Sequence, residues 1–300
     1  MSNKKAFLFP GQGSQYSGMA SEFSAYPSWD EYAQKAIDVL GFDIVEIMDG
    51  DEEILKITEN AQPAIFLASY VAYMELKNKI TPDFFAGHSL GEYTALAVAG
   101  VYDFETGIYL VRKRGEYISQ AIKPGEGSMA AVVGVPMEKV QELVKNYNEL
   151  YIANYNSADQ TVVSGKTESV KAFVKDLTEQ GLRVIELKVS GPFHTPLLDK
   201  ARENMIKEVE HIKFKAPKFP IVMNSLAKEV TDPEYIKHYV LEQISGPVYW
   251  KQSIDRLIEL GVSEFIEVGP KNVLTSMLKK SKLNAKHFTT LITGGVLDER

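Results

Sequence analysis

Short apolar runs alternate along this chain with longer segments whose apolar residues recur at helical spacing. Ala6 to Phe9 (AFLF) predicts a buried strand that ends at Pro10-Gly11 and runs into the loop GQGSQ. Ser21 to Leu40 predicts a helix, with Trp29, Tyr32, Ala33 and Ala36 on one face. Gln62 to Leu76 is apolar on nearly every face, which predicts a buried helix with Pro63 in its first turn. Phe84 to Ala86 reads as a strand end, Glu92 to Ala99 as a helix, and Asp103 to Ile122 as an amphipathic helix that includes Tyr109, Leu110 and Tyr117. This strand–helix alternation predicts an α/β layer architecture with a largely parallel sheet.

The middle of the chain changes period. Ser128 to Val135, Leu150 to Asn154, Thr161 to Ser164 and Arg183 to Val189 read as strands, and Pro136 to Asn146 and Lys166 to Gln180 as helices. The order β-α-β-β-α-β predicts a ferredoxin-like subdomain over 127–195, inserted into a discontinuous main domain of 1–126 and 196–300. After Pro196 the pattern predicts helices at Leu197 to Glu210 and Trp250 to Leu260, strands at Pro220 to Met223 and Glu264 to Val268, and a final helix.

Composition narrows the chemistry. The 300 residues include 45% apolar and 24% charged positions, ordinary values for a globular protein with a sizeable core. The absence of cysteine removes disulfides, thiolate metal sites and cysteine nucleophiles, and suits a reducing cytoplasm. No signal-peptide pattern opens the sequence, and no run approaches the ~18 apolar residues of a membrane span. A net charge of −7 argues against nucleic acid as a partner. One local exception is basic: Lys271, Lys279, Lys280, Lys282 and Lys286 crowd the C-terminal region, either as a solvated helix end or as a docking patch.

Gly87-His88-Ser89-Leu90-Gly91 fits G-x-S-x-G, with a strand before it and a helix after it. A serine on so sharp a turn projects its hydroxyl out of the sheet, and small neighbours let strand and helix approach. The Leu90 N–H, at the start of the helix, is then placed as an oxyanion donor. The competing reading is a purely structural corner. A serine needs a base. Of the histidines, His88 adjoins the serine, His211, His238 and His287 lie in charged or polar surroundings, and His194 stands where the chain returns to the main domain. That position favours His194. The early loop Pro10 to Gln15 lacks the spacing of a phosphate loop and suits a second oxyanion donor. No cluster of metal ligands is apparent.

Taken together, FPGQGSQ, TENAQPA, GHSLGEYTAL, VRKRG, IANYNSADQTVVSG, VSGPFHTPL and FIEVGPKNVL resemble, in order, the motifs of the malonyl-CoA:acyl carrier protein transacylase family. The stretch PDFFAGHSLGEYTALAVAGVYDFETG is also similar to free-standing acyltransferases that serve modular polyketide synthases. The resemblance implies an α/β-hydrolase-like main domain and a ping-pong malonyl transfer from malonyl-CoA to the phosphopantetheine thiol of an acyl carrier protein. It implies Ser89 as nucleophile and His194 as base, with a main-chain carbonyl near Tyr249 in GPVYW orienting the imidazole. The N–H groups of Gln12 and Leu90 become the oxyanion hole. Arg114 becomes the clamp for the malonyl carboxylate; Arg112 lies about 200° round the helix and cannot share that role. Gln62, Asn156, Phe193 and His88 line the substrate cleft, and Phe193-His194 resembles the malonyl-type ending. Coenzyme A enters as substrate, with no resident cofactor, no metal, a cytoplasmic setting and a monomeric enzyme. Two rivals stand beside this reading: a serine hydrolase that releases acyl groups from carriers, and a non-catalytic carrier-binding module.

Overall fold

The computed structural model describes residues 4–123, 125–187, 189 and 191–287. Ten strands among them form two sheets. Six make the larger sheet: β1 (Lys4–Phe9), β2 (Phe84–Gly87), β7 (Ile221–Met223), β8 (Lys228–Val230), β9 (Val262–Glu267) and β10 (Ala285–His287). Their order is β10-β9-β1-β2-β7-β8, parallel throughout except for the antiparallel edge strand β8. Alternation along β1 divides the core. Phe7 and Phe9 pack into one large apolar cluster, while Ala6 and Leu8 pack on the opposite face with Trp250, Ile254 and Leu274. Helices therefore cover both faces, the arrangement a buried parallel sheet requires.

The smaller sheet has β3 (Gly127–Val133), β4 (Leu150–Ser157), β5 (Gln160–Lys166) and β6 (Arg183–Glu186) in the order β4-β5-β3-β6, all antiparallel. Ala130 and Val132 face the helices Met137–Val144 and Thr167–Glu179. Met129, Ala131 and Val162 face the large cluster instead, so this sheet lies against the main body. A direct seam ties the two together: Val248 N–H donates to Ala153 O (2.8 Å), and Tyr155 N–H donates to Val248 O (2.9 Å).

Two helices differ from the sequence reading, each at a proline. The helix expected over Ser21 to Leu40 is two, Met19–Phe23 and Trp29–Leu40, with Pro27 in the break. Proline biases the preceding residue away from the helical region and donates no N–H. The helix expected to start at Gln62 starts at Thr58, so Pro63 sits in its interior rather than its first turn. Pro63 cannot donate to the Glu59 carbonyl one turn back, and Arg112 Nη1 donates to that carbonyl instead at 2.8 Å. Arg112 thus has a structural task on the face away from the serine. The fourth strand of the small sheet also ends at Glu186, short of Val189, and Ser190 lies outside the described residues.

Candidate active site

The turn after β2 carries Ser89 at φ 54°, ψ −109°, a region that side-chain-bearing residues rarely occupy. The helix Leu90–Val98 follows at once. Both flanking glycines are required by contact. A Cβ on Gly87 would overlap the Gly91 carbonyl, and a Cβ on Gly91 would overlap the Phe9 carbonyl at the end of β1. The early loop and the serine turn are therefore packed backbone to backbone at the C-terminal ends of adjacent parallel strands, where open α/β sheets bind ligands.

Ser89 Oγ lies 2.8 Å from His194 Nε2. His194 Nδ1 lies 2.6 Å from the main-chain oxygen of Gln243. A carbonyl only accepts, so Nδ1 carries the hydrogen and Nε2 presents its lone pair to the hydroxyl. The orienting carbonyl is that of Gln243, in the last turn of the helix Pro233–Ser245, and not the one expected near Tyr249. Tyr249 O is engaged elsewhere: it accepts from Ser253 N–H (2.9 Å) and Ser253 Oγ (2.8 Å) at the start of the helix Trp250–Glu259. His194 itself has φ 60°, held in a tight turn where Thr195 Oγ1 donates to Pro192 O (2.8 Å). Burial, and then the charge of Arg114, pull its imidazole down to about 3.

That shift has a definite sign. Only the neutral imidazole can take the serine proton, and a depressed value keeps it neutral as the pH falls. The rate of acyl-serine formation is expected to stay flat from pH 8 to pH 5, with its acid limb below the ordinary histidine range near 6.5. A pH–rate profile of serine acylation checks this, and an acid limb at 6.5 or above would contradict it.

Arg114 is 1% exposed, on the helix Phe104–Ala121. Its Nη2 donates to Ser89 Oγ (3.1 Å) and to Gln243 Oε1 (3.0 Å), and the guanidinium lies 5.4 Å from the Tyr93 ring centroid. Its Nε has no hydrogen-bond partner, and among the described residues no carboxylate stands within ion-pair distance. Removing a cation from water without a carboxylate is costly, so the site is poised for an anionic ligand. The same Nη2 bond favours the serine in its alkoxide form.

A cleft of about 250 Å³ opens between the two sheets over these groups. His88, Asn156, Phe193 and Gln12 line it with Ser89, His194 and Arg114. His88 Nε2 lies 3.0 Å from Asn156 Oδ1, and its ring packs edge-on to Trp250 at 5.3 Å. Gln62 does not line the cleft. It is fully buried in the helix Thr58–Leu76, where neither of its amide atoms has a partner among the described residues. The Gln12 loop is held by Gly13 N–H donating to Gln15 Oε1 (2.7 Å), and by Lys271 Nζ donating to Gln15 O (2.8 Å). Lys271 is therefore part of the site's frame and not a free member of the basic patch. Lys286 pairs with Glu264 at 3.4 Å, while Lys279, Lys280 and Lys282 are exposed.

Three polar residues that the sequence pattern left unmarked hold the site. Asn224 Oδ1 accepts from Ser89 N–H (2.7 Å), and Asn224 Nδ2 donates to Gly87 O (2.7 Å). Gln243 Nε2 donates to Ser89 O (3.0 Å) and to Glu92 Oε1 (3.0 Å). Glu92 Oε2 accepts from Asn224 N–H at 2.5 Å. Asn224 had one available signal, as a polar residue directly after the apolar strand β7 at the sheet's C-terminal edge.

The chain is similar to known proteins over nearly its whole length. Residues 6–292 match the family described as "Acyl transferase domain". A curated protein named malonyl CoA-acyl carrier protein transacylase, from Bacillus subtilis (strain 168), is 40% identical over 93% of this chain and 90% of its own length. The crystal structure of an acyl carrier protein S-malonyltransferase from Vibrio cholerae superposes with a TM-score of 0.90 at 34% identity, covering 95% of this chain and 96% of that one. A malonyl-transacylase solved in complex with a type II polyketide synthase acyl carrier protein superposes with a TM-score of 0.92 at 32% identity, over 98% of this chain and 100% of that one.

Proposed function

The chain belongs to the acyl transferase family, as one of its malonyl-CoA:acyl carrier protein transacylases, and from that membership we propose how its own residues carry the reaction. Ser89 attacks the thioester carbonyl of malonyl-CoA while His194 Nε2 takes the hydroxyl proton. The N–H groups of Gln12 and Leu90 hold the tetrahedral oxyanion. His194 returns the proton to the departing coenzyme A thiolate, leaving a malonyl-Ser89 ester. The carrier's phosphopantetheine thiol then gives its proton to His194 and attacks that ester, and His194 passes the proton to Ser89 Oγ as the ester bond breaks, which regenerates both the serine and the neutral imidazole. Coenzyme A is a substrate throughout, and the route calls for no resident cofactor or metal.

The observation that carries this reading is the shared hydroxyl. Ser89 Oγ meets both the base His194 and the carboxylate clamp Arg114, so one atom couples the nucleophile to a group selective for a free carboxylate. The chain divides in this proposal into an α/β-hydrolase-like catalytic domain (1–126 and 196–300) and a ferredoxin-like subdomain (127–195). The small sheet's order, β4-β5-β3-β6, supports the second name.

The carrier is acidic in this proposal and docks beside the cleft. The helix Val273–Lys280 supports the placement, since Val273 and Met277 line the cleft and Lys279 and Lys280 are exposed at its far end. Labelled malonyl-CoA, given with and without holo carrier protein, tests the reading. Label is expected on Ser89 first and on the carrier after its addition. Release as free malonate without carrier labelling would refute transfer. In the same assay, charge reversal at Lys279 and Lys280 is expected to raise the KM for carrier and leave that for malonyl-CoA unchanged; equal rises would place docking elsewhere.

A further inference from the structure

Glu92 has no part in the steps above, yet it is fully buried beneath the reacting groups. It belongs to the first turn of the helix that Ser89 begins and is the one charged residue of that helix. A carboxylate so placed is expensive to keep, which makes its contacts informative. Its two oxygens go to two different supports. Oε2 accepts the main-chain N–H of Asn224 at 2.5 Å, and Oε1 accepts Gln243 Nε2 at 3.0 Å.

Each support governs one half of the site. Asn224 holds the strained turn from both sides, accepting from Ser89 N–H and donating to Gly87 O, each at 2.7 Å. Gln243 meets three groups: its main chain accepts from His194 Nδ1, its Oε1 accepts from Arg114, and its Nε2 donates to Ser89 O. Nε2 can reach Ser89 O and Oε1 can face Arg114 only if the amide is turned one way, and the Glu92 carboxylate fixes that turn.

We propose that Glu92 is the positioning residue of this site: through Asn224 and Gln243 its carboxylate sets the serine turn and the Arg114 clamp in register with each other. The proposal rests on the assignment of Ser89, His194 and Arg114 given above. Both oxygens face N–H donors, an arrangement that calls for the ionised carboxylate. Burial raises the group against the opposing pull of Gln243, Asn224 and the Arg114 charge, and the net of these is about 8. The helix start at Leu90 adds its dipole on the same side.

Glu92→Gln keeps the shape and removes one acceptor. Whichever way the new amide turns, its NH2 faces a donor, either Asn224 N–H or Gln243 Nε2. If Gln243 flips to accept from it, Arg114 loses its Oε1 contact and Ser89 O loses its donor. The variant is expected to acylate Ser89 with malonyl about 10- to 100-fold more slowly. It is also expected to lose about fivefold or more of its malonyl-over-acetyl preference, measured as a ratio of kcat/KM values. That ratio does not depend on how much of the variant is folded, so a structural defect alone leaves it unchanged. An unchanged preference in Glu92→Gln would overturn the role of Glu92. Wild-type enzyme that takes no label on Ser89 in the same assay would overturn instead the site assignment beneath it.

Discussion

Ser89→Ala is expected to abolish covalent labelling by malonyl-CoA and to lower carrier malonylation by on the order of 10⁴- to 10⁶-fold. The ester cannot form without Oγ, and no other described hydroxyl shares His194 Nε2. His194→Ala is expected to fall almost as far, because both half-reactions draw on the same base. The double variant is then no worse than Ser89→Ala alone, as groups acting on one proton are not additive. Stability separates this from misfolding. Ser89 sits at φ 54° with no side-chain bond capping its helix, so the turn stores strain on the order of 1–3 kcal/mol. Ser89→Gly relieves that strain, and its Tm is expected to equal or exceed that of the wild type although it is inactive. A Gly variant that melts well below the wild type, or an Ala variant that still takes label, would refute the assignment.

What the sequence made legible follows from where the information lies. Ser89, His194 and the Gln12 loop are announced by local patterns: a glycine-flanked serine between strand and helix, a histidine at a chain return, and a glycine-rich loop after the first strand; Arg114 came only through the family resemblance. The backbone carries out what those patterns say. The glycines are small because Gly87 and Gly91 meet backbone, and that constraint shows in the sequence itself. The carbonyl that orients His194 was a different kind of question. Every residue has one, so only packing decides whether Gln243 or Tyr249 reaches the ring, and Tyr249 O is used by Ser253. Asn224, Gln243 and Glu92 stayed hidden for a related reason. Their value lies in mutual contacts across long separations, and a buried polar residue in a helix looks in sequence like a surface one. The edge strands β8 and β10 have 3 residues each, too few to show a period. Pro27 and Pro63 were visible, but whether a proline breaks a helix or is absorbed depended on Arg112, which takes the carbonyl that Pro63 leaves open.

Arg114→Ala is expected to lower kcat/KM for malonyl-CoA by about 10²- to 10³-fold while acetyl-CoA changes far less, so the preference between them collapses. The magnitude comes from what a buried guanidinium gives a carboxylate: charge-assisted hydrogen bonds of about 1.5–3 kcal/mol each, at about 1.4 kcal/mol per tenfold. The free enzyme has already borne the cost of burying that cation, which is 1% exposed and, among the described residues, has an unpartnered Nε and no carboxylate in contact. Malonyl binding is expected to relieve this state and acetyl binding to leave it as it was, and the predicted discrimination comes from that asymmetry. Removing the cation also removes the Nη2 bond to Ser89 Oγ, so acetyl transfer is expected to fall somewhat as well. Arg114→Lys separates the two contributions. A lysine restores charge without the planar fork, and is expected to recover part of the malonyl rate but not the wild-type preference. Steady-state kinetics with both thioesters check this, and equal losses for the two substrates would show that Arg114 serves the hydroxyl alone and reads no carboxylate.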